Sequence, residues 1–427
     1  MGYFKEFLPS KNDYRPLAEN FRHDLIAGIT VGVVALPLAL GFGITTGAGA
    51  ASGLVTAIIA GIFAAIFGGS NFQVSGPTGA MTVVLVPIVS KYGVDALAPL
   101  GIFAGILIVV LGFIKVGKFI DRVPLVVMEG FTLGIALVIA LQQVPLVLGI
   151  PRASGSHTVL VAINTISNAI SNSINWTSIS VVILALAIKF TWPKLNIIIV
   201  PKVHIPASIV AVFLTTLIVK SFGLRIATIG EIPRKFDVIG NYFDSLNVIP
   251  MNELVYSIIV IALLGSIESL LSARVADGMA HKFIDHDQKK HQPNRELFGQ
   301  GLATIAASLL GGMPATGAIA RTSVNIRAGA KSRLASIVHA FFLLLVVLLL
   351  APIVAIIPTA ALAGVLLGTS YRIANPKSIT EALRTTYEER AVFIVTAGSV
   401  LAIDLIWGLV IGLFTNFVLK KLLSSRG

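Results

Sequence analysis

The chain alternates long apolar runs with short polar segments. Residues 25–90 are the plainest case: 66 consecutive positions carry no Asp, Glu, Lys, Arg or His. No soluble fold hides that much uncharged chain, and one bilayer crossing needs only about 20 apolar residues, fewer where a helix is broken inside protein. The pattern predicts an all-α membrane protein with fourteen spans: 25–45, 51–68, 78–90, 98–114, 123–148, 176–193, 203–222, 254–275, 297–311, 316–327, 334–351, 358–372, 391–402 and 405–419. Both termini then lie on one side. Segment 149–175 differs. Rich in Ser and Asn, with Ile and Val at helical spacing, it predicts an external amphipathic helix lying at the interface.

Composition removes the soluble alternative. Of 427 residues 56% are hydrophobic and 12% charged, and the mean hydropathy is +0.91. The net charge of +12 invites a nucleic-acid reading, but the basic residues cluster between apolar runs, as the positive-inside bias requires. With the termini inside, six Lys and Arg fall outside (Lys91, Arg152, Lys220, Arg225, Arg234, Lys235) and Arg321 falls within a span. The other 25 of the 32 lie inside or at inner helix ends, which fixes a cytoplasmic N-terminus. The polar segment 1–24 lacks the features of a cleaved signal peptide. Cysteine is absent, so no disulfide or thiolate metal site is expected. The longest inner loop, 274–295, holds His281, His286 and His291 with Asp285 and Asp287, at spacings that match no metal geometry closely.

The two halves echo one another. Ser75-Gly76-Pro77-Thr78-Gly79-Ala80-Met81 resembles Met313-Pro314-Ala315-Thr316-Gly317-Ala318-Ile319, and a Gly-Gly pair precedes each (Gly68-Gly69, Gly311-Gly312). Pro124, Gly130 and Gly134 share their spacing with Pro358, Gly364 and Gly368. The first two copies sit seven spans apart, and an odd number inverts one half relative to the other. The third and tenth spans are also short, about 20 Å as helix against a hydrocarbon core of about 30 Å. Each is therefore expected to be a half-helix led in by extended chain, which Pro77 and Pro314-Ala315 favour. Opposed half-helix N-termini at the midplane make an anion site from free N–H groups and positive dipole ends.

Three ionisable side chains are read inside spans. Arg321, in the tenth, adds positive potential behind the anion site or pairs structurally with Glu268. Glu268, mid-span in the eighth, suits a proton carrier, because protonation leaves the site more positive by one charge. It suits equally a Na⁺ ligand together with Ser272. Glu129, near the cytoplasmic end of the fifth span, reads as structural. Gln142 and Gln143 are read as satisfying backbone groups between helices. Gly28, Gly32, Gly61 and Gly301 read as close helix packing. Phe42 follows Leu36-Pro37, where the first helix is expected to kink.

Gly32-Val33-Val34-Ala35-Leu36-Pro37-Leu38-Ala39-Leu40, the Ser75–Ala80 string, Ile267-Glu268-Ser269-Leu270-Leu271-Ser272 and Pro314-Ala315-Thr316-Gly317-Ala318-Ile319-Ala320-Arg321-Thr322 together resemble the SulP family. These are the bacterial and plant sulfate permeases, related to pendrin and prestin. The resemblance covers essentially the whole chain. It implies a 7+7 inverted repeat of the uracil-permease type, with a core (about 25–114 and 254–351) and a gate (about 123–222 and 358–422). It also implies a substrate site of Leu38, Phe42, Thr78, Gly79, Ala80, Gly317, Ala318, Ile319, Ala320 and Arg321, with ion coupling at Glu268 and Ser272. A carboxylate at the Glu268 position goes with symport, and Leu38 stands where the mammalian exchangers usually carry glutamine. Most relatives continue into a cytoplasmic STAS domain that residues 1–427 do not include, and members are usually dimers.

The functional expectation is secondary active transport of a small anion (sulfate, bicarbonate or C4-dicarboxylate), as H⁺-coupled symport through Glu268 without a cofactor. Alternatives are a Na⁺-coupled bicarbonate symporter, an anion exchanger and a passive channel. No nucleophile–base pair or metal triad lies among the intramembrane residues, which argues against an enzyme. A nucleobase would need hydrogen-bond partners that the small apolar residues of the site do not offer. The expected location is a bacterial inner (plasma) membrane, multi-pass, with both termini cytoplasmic. The expected partners are lipid, the anion and a second copy of the chain, with no nucleic acid.

Overall fold

The computed structural model describes residues 6–10, 13, 19–120, 123–155, 157–172, 174–199, 205–232, 247–283 and 290–424. A helix lies in each of the fourteen apolar stretches. They are α1 (Phe21–Thr46), α2 (Gly49–Phe67), α3 (Gly79–Tyr92), α4 (Leu97–Phe113), α5 (Leu125–Gln142), α6 (Trp176–Ile199), α7 (Ala207–Ser221) and α8 (Met251–Phe283). The second set comprises α9 (Pro293–Leu309), α10 (Ile319–Arg327), α11 (Leu334–Ala355), α12 (Thr359–Ala374), α13 (Tyr387–Ala402) and α14 (Leu405–Ser424). By length and composition alone, seven stretches are long and apolar enough to cross a membrane. Two two-residue strands, β1 (Ser75–Gly76) and β2 (Thr316–Gly317), precede α3 and α10.

Several boundaries move from the sequence reading. The tenth stretch loses 316–318 to extended chain, so Gly317 and Ala318 are not helical and Arg321 is only the third residue of α10. The helix at α8 runs 33 residues, well into the expected inner loop. Its neighbour α9 begins at Pro293, which takes the charged positions Arg295 and Glu296 into helix and out of water. The fifth stretch breaks at Gln143 into α5 and a short helix, Val144–Leu148. Gln143 Nε2 donates to the Ile139 carbonyl one turn back. His286, Asp285, Asp287, Arg234 and Lys235 lie outside the described residues.

The chain divides into two compact units. The first holds Met1–Asp121, Asn196–Val210 and Thr228–Ile357, and the second Arg122–Leu195, Ala211–Ala227 and Pro358–Gly427. Within the first, small residues let backbones approach closely. A Cβ on Gly53 would lie 2.0 Å from the Ala39 carbonyl oxygen, so α1 and α2 touch main chain to main chain. One on Gly301 would lie 2.6 Å from the Gly105 oxygen, which joins α9 to α4 in the same way.

Parts of segment 1–24 dock onto this unit rather than standing free. Phe7 is buried, its ring 4.9 Å from Phe113 and 5.5 Å from Phe298. Asp13 accepts from both terminal nitrogens of Arg295, at 3.2 and 2.9 Å, and lies 3.6 Å from Arg333. Asp24, in the first turn of α1, is fully buried and accepts from the Lys331 and Ser332 amides, satisfying backbone groups just before α11.

In the second unit, a Cβ on Gly130 would lie 2.6 Å from the Phe393 carbonyl oxygen, so α5 and α13 meet on small residues. The amphipathic helix Thr158–Asn172 presents three faces. Val161, Ala162, Thr165 and Ala169 are buried, Ile163, Ile166 and Ile170 are exposed and apolar, and Asn164, Asn168 and Ser171 are exposed and polar. Such a helix has one side for protein, one for hydrocarbon and one for water.

Candidate functional site

The site is built in the first unit where two extended segments meet. Proline at 77 and 314 disfavours helix in the residue before it, so both lead-ins stay extended. β1 and β2 pair antiparallel, Ser75 opposite Gly317 and Gly76 opposite Thr316. The Ala318 amide extends the contact by donating to the Val74 carbonyl at 2.9 Å. α3 and α10 thus leave the strand pair at opposite ends. Their first N–H groups have no intrahelical acceptor and are available for negative charge.

The two N-termini are finished differently. Thr78 is the N-cap of α3, and its hydroxyl accepts from the Met81 amide at 3.3 Å. Ala318 is the N-cap of α10 and has no side chain able to do this. A Cβ on Gly317 would lie 2.0 Å from Gln73 Nε2 and 3.0 Å from Ser269 Cα, so any side chain there would displace the Gln73 amide. Thr78, Gly79, Ala80 and Ala318 are buried, Ile319 is half-buried and Ala320 exposed. Leu38 and Phe42 are buried on α1, which packs against both α3 and α10.

Glu268, half-buried on α8, reaches the meeting point. Its Oε2 accepts from Thr78 Oγ1 at 2.8 Å and from Thr316 Oγ1 at 2.6 Å, and the two hydroxyls lie 3.3 Å apart. One carboxylate oxygen is therefore held by both segments. Ser272 does not join it. Its hydroxyl lies 3.1 Å from Thr322 Oγ1, and Thr322 Oγ1 in turn accepts from the Val74 amide.

Arg321 is 1% exposed and turns back across the crossing: its Nη2 donates to the Pro77 carbonyl. It makes no ion pair with Glu268 among the described residues, so the structural salt bridge considered from the sequence is not formed. A guanidinium behind one half-helix ties to the chain leading into the other and lends both its charge.

Several site residues were not anticipated. Gln300, fully buried on α9, accepts from Ser75 Oγ at 2.8 Å and donates to the Ala315 carbonyl at 2.8 Å, joining the two segments through one amide. Only a group with both a donor and an acceptor can do this. Ser269 accepts from the Gly317 amide at 3.0 Å, and Thr56 accepts from the Met313 amide at 2.8 Å. The signals were present as polar residues inside apolar helices: Gln300 between two glycines, Ser269 beside Glu268, and Thr316 within the repeated Thr-Gly-Ala. The count of three intramembrane ionisable groups also overlooks two. His339 is buried in α11, and Lys189 is buried in α6, where its Nζ donates to the Val365 carbonyl and to Thr369 Oγ1. Glu129 is half-buried near the start of α5.

Titration outside the spans is clearest at Asp13. Burial works against its charge, but hydrogen bonds from Arg295 and the Ser10 amide, with Arg333 nearby, outweigh that and hold its carboxyl down at about 2. Just before α9, His291 Nδ1 lies 2.7 Å from Asp277 Oδ2 of α8. No group of three or more His, Asp or Glu able to hold a metal occurs among the described residues.

Comparison with known proteins gives one answer. Residues 21–396 match the sulfate permease family. The chain is 38% identical over 409 residues to the putative sulfate transporter YvdB of Bacillus subtilis, spanning 94% of this chain and 73% of that protein. It is 30% identical over 359 residues to the bicarbonate transporter BicA of Picosynechococcus, spanning 81% of this chain and 60% of that one. Among solved structures, the transmembrane domain of a cyanobacterium bicarbonate transporter BicA superposes with a TM-score of 0.80 at 30% identity, over 91% of this chain and 97% of that chain. SLC26A9 superposes with a TM-score of 0.82 at 17% identity over 94% of this chain, a likeness of fold. These relatives are transporters of inorganic anions rather than enzymes, and their α-helical membrane fold is the one described above. The chain belongs to the sulfate permease family.

Proposed function

We propose that the protein is a secondary active transporter of a small oxyanion in which uptake is coupled to protonation of Glu268. The observation that carries this is the pair of threonine hydroxyls, one from each segment, on a single Glu268 oxygen. An ionised Glu268 places negative charge beside the N–H groups that an anion needs, so cargo and carboxylate repel. Protonation removes that charge, and the helix ends then favour the cargo. Anion and proton thus bind together and leave together.

Alternating access follows if the first unit is the core and the second the gate, the core carrying the site across. The fourteen helices are read as fourteen crossings in a 7+7 inverted repeat, with both termini in the cytoplasm of a bacterial cell and two copies per assembly. The substrate-binding set is Leu38, Phe42, Thr78, Gly79, Ala80 and Gly317 to Arg321. A Na⁺-coupled reading has one specific observation in its favour: Glu268, Thr78 and Thr316 bring three oxygens together, and hard cations take oxygen ligands. Similarity to proteins named for sulfate and for bicarbonate supports those two anions as cargo.

The test is uptake of radiolabelled sulfate, bicarbonate and a C4-dicarboxylate into proteoliposomes, with and without a pH gradient and with and without Na⁺. Accumulation driven by the pH gradient alone supports the proton reading. Accumulation that needs Na⁺ replaces it with the cation reading. Flux that never exceeds equilibrium ends both and leaves an exchanger or a channel.

A further inference from the structure

Lys189 carries a buried charge that the transport reading leaves unused. It is 2% exposed on α6, and its ammonium donates to the Val365 carbonyl and, at 2.7 Å, to Thr369 Oγ1, both on α12. A Cβ on Gly368 would lie 2.6 Å from Lys189 Cδ, so the lysine stem runs where α12 has no side chain. Both acceptors are neutral, and the charge itself stays uncompensated. Arg372 follows one turn beyond Thr369, exposed, and near enough for the two positive charges to repel. Neither forms an ion pair among the described residues. Charge within a membrane protein is costly unless it is paired. This corner of the second unit therefore calls for an anion that the described residues do not supply.

The surroundings select which anion. Phe190 and Tyr371, each next in sequence to one of the two cations, meet edge to face with ring centroids 5.4 Å apart, and they are 46% and 55% exposed. Exposed rings on apolar helices of a membrane protein face lipid. Trp176 opens α6, and Trp192 lies about 24 Å further along it as helix. Two tryptophans so spaced mark the two membrane–water boundaries, and the cations stand at the second of them. Lys194, exposed one turn beyond Phe190 on the same face, adds a third positive charge. It too forms no ion pair among the described residues. Aromatic rings suit an acyl chain, and cations one turn further along suit the phosphate above it. A zwitterionic headgroup brings its own cation and leaves the positive charge unanswered. A net anionic headgroup does not, and basic pockets between spanning helices bind such lipids.

We infer that the ends of α6 and α12 bind the headgroup of an anionic phospholipid, with Arg372 and Lys194 on its phosphate and Lys189 supplying positive potential from beneath. Phe190 and Tyr371 receive the acyl chain. This goes beyond transport and rests only on the chain being a membrane protein.

The test uses the full chain with Trp192 as its one tryptophan (Trp176→Phe, Trp407→Phe), in vesicles of mixed phosphatidylcholine and phosphatidylglycerol. Bromine on the acyl chains of either lipid quenches a tryptophan beside it. Brominated phosphatidylglycerol should quench Trp192 more strongly than brominated phosphatidylcholine at the same fraction. Arg372→Gln and Lys194→Gln should each weaken that preference about fivefold. Lys194 is exposed, so Lys194→Gln remains a usable variant should Arg372→Gln fail to fold. Lys420→Gln, which removes an exposed cation near the end of α14, should leave the preference unchanged. Equal quenching by the two lipids overturns the inference. So does an equal loss from Lys420→Gln, which would mean attraction to surface charge in general. Loss of the preference in inorganic phosphate at constant ionic strength also overturns it, because the cations would then be taking a free anion. No readout involves flux, so this inference and the transport reading fail separately.

Discussion

The two crossed segments look like copies in the sequence and are not equivalent in space. Aligning the repeated Thr-Gly-Ala pairs Thr78 with Thr316 and Gly79 with Gly317. In the structure Thr78 caps α3 and Gly79 is its first residue, whereas Thr316 and Gly317 form a strand and α10 starts only after Ala318. The motif is displaced by two residues from the structure that it builds. As a result the second half has an N-terminus with no side-chain cap, and a threonine set back along the lead-in. Two threonines with one ancestry of pattern therefore do different work: Thr78 holds a helix end and Glu268, and Thr316 holds Glu268 without capping. The second half alone has a cation near its helix start, Arg321, and that cation reaches over to the first half. A site that seems symmetrical has one stiff end and one charged end.

The strongest way to break this comparison is to remove what both ends share. Glu268→Gln is expected to abolish accumulation driven by a pH gradient while anion exchange persists, read in proteoliposomes. Undiminished proton-driven accumulation would end the assignment. Next comes the charged end. Arg321→Ala should weaken anion binding about tenfold or more, as loss of a charge-assisted contact allows; unchanged affinity in a binding assay means the helix ends suffice.

The stiff end is separated from the charged end by a matched pair. Thr316→Val should alter the pH dependence of uptake with Tm held near the wild type. Thr78→Val should do the same and also lose a cap worth about 0.5–2 kcal/mol, visible as a lower Tm. Equal thermal losses from the two would erase the asymmetry. The smallest effect is a control remote from both segments. Asp13 is held at about 2 in the folded protein against 3.8 in its ordinary state, so its stabilising contribution is complete above the ordinary value and fades as pH falls through that interval. Asp13→Asn should lower Tm slightly at neutral pH and flatten its fall on acidification, leaving transport kinetics unchanged. A steeper acid loss in the variant would contradict the sign.

Much of the helical frame was legible because its signals are local: apolar length, charge-free runs, and prolines that disfavour helix in the residue before them. Pro77 and Pro314 placed the extended lead-ins. The start of α10 was missed by three residues because Thr316 and Gly317 take strand geometry from a partner segment that no local window contains. The contacts of Glu268 were illegible for the same reason, as was the turn of Arg321 toward the Pro77 carbonyl rather than toward the acid. Gln300 could have been suspected, since an uncharged amide midway along a buried helix needs partners. The docking of Asp13 and Asp24 could not, because Arg295, Lys331 and Ser332 lie hundreds of residues away.

The pairing of Val74 with Thr322 joins positions 248 apart, and this has a bearing on how the protein is made. A nascent chain that has just delivered α3 has nothing to set Ser75 and Gly76 against until β2 emerges much later. The seat of the cargo is thus among the last parts to close during biosynthesis. Chains released before that point would carry exposed main-chain amides at bilayer depth, a mark by which quality control can find them.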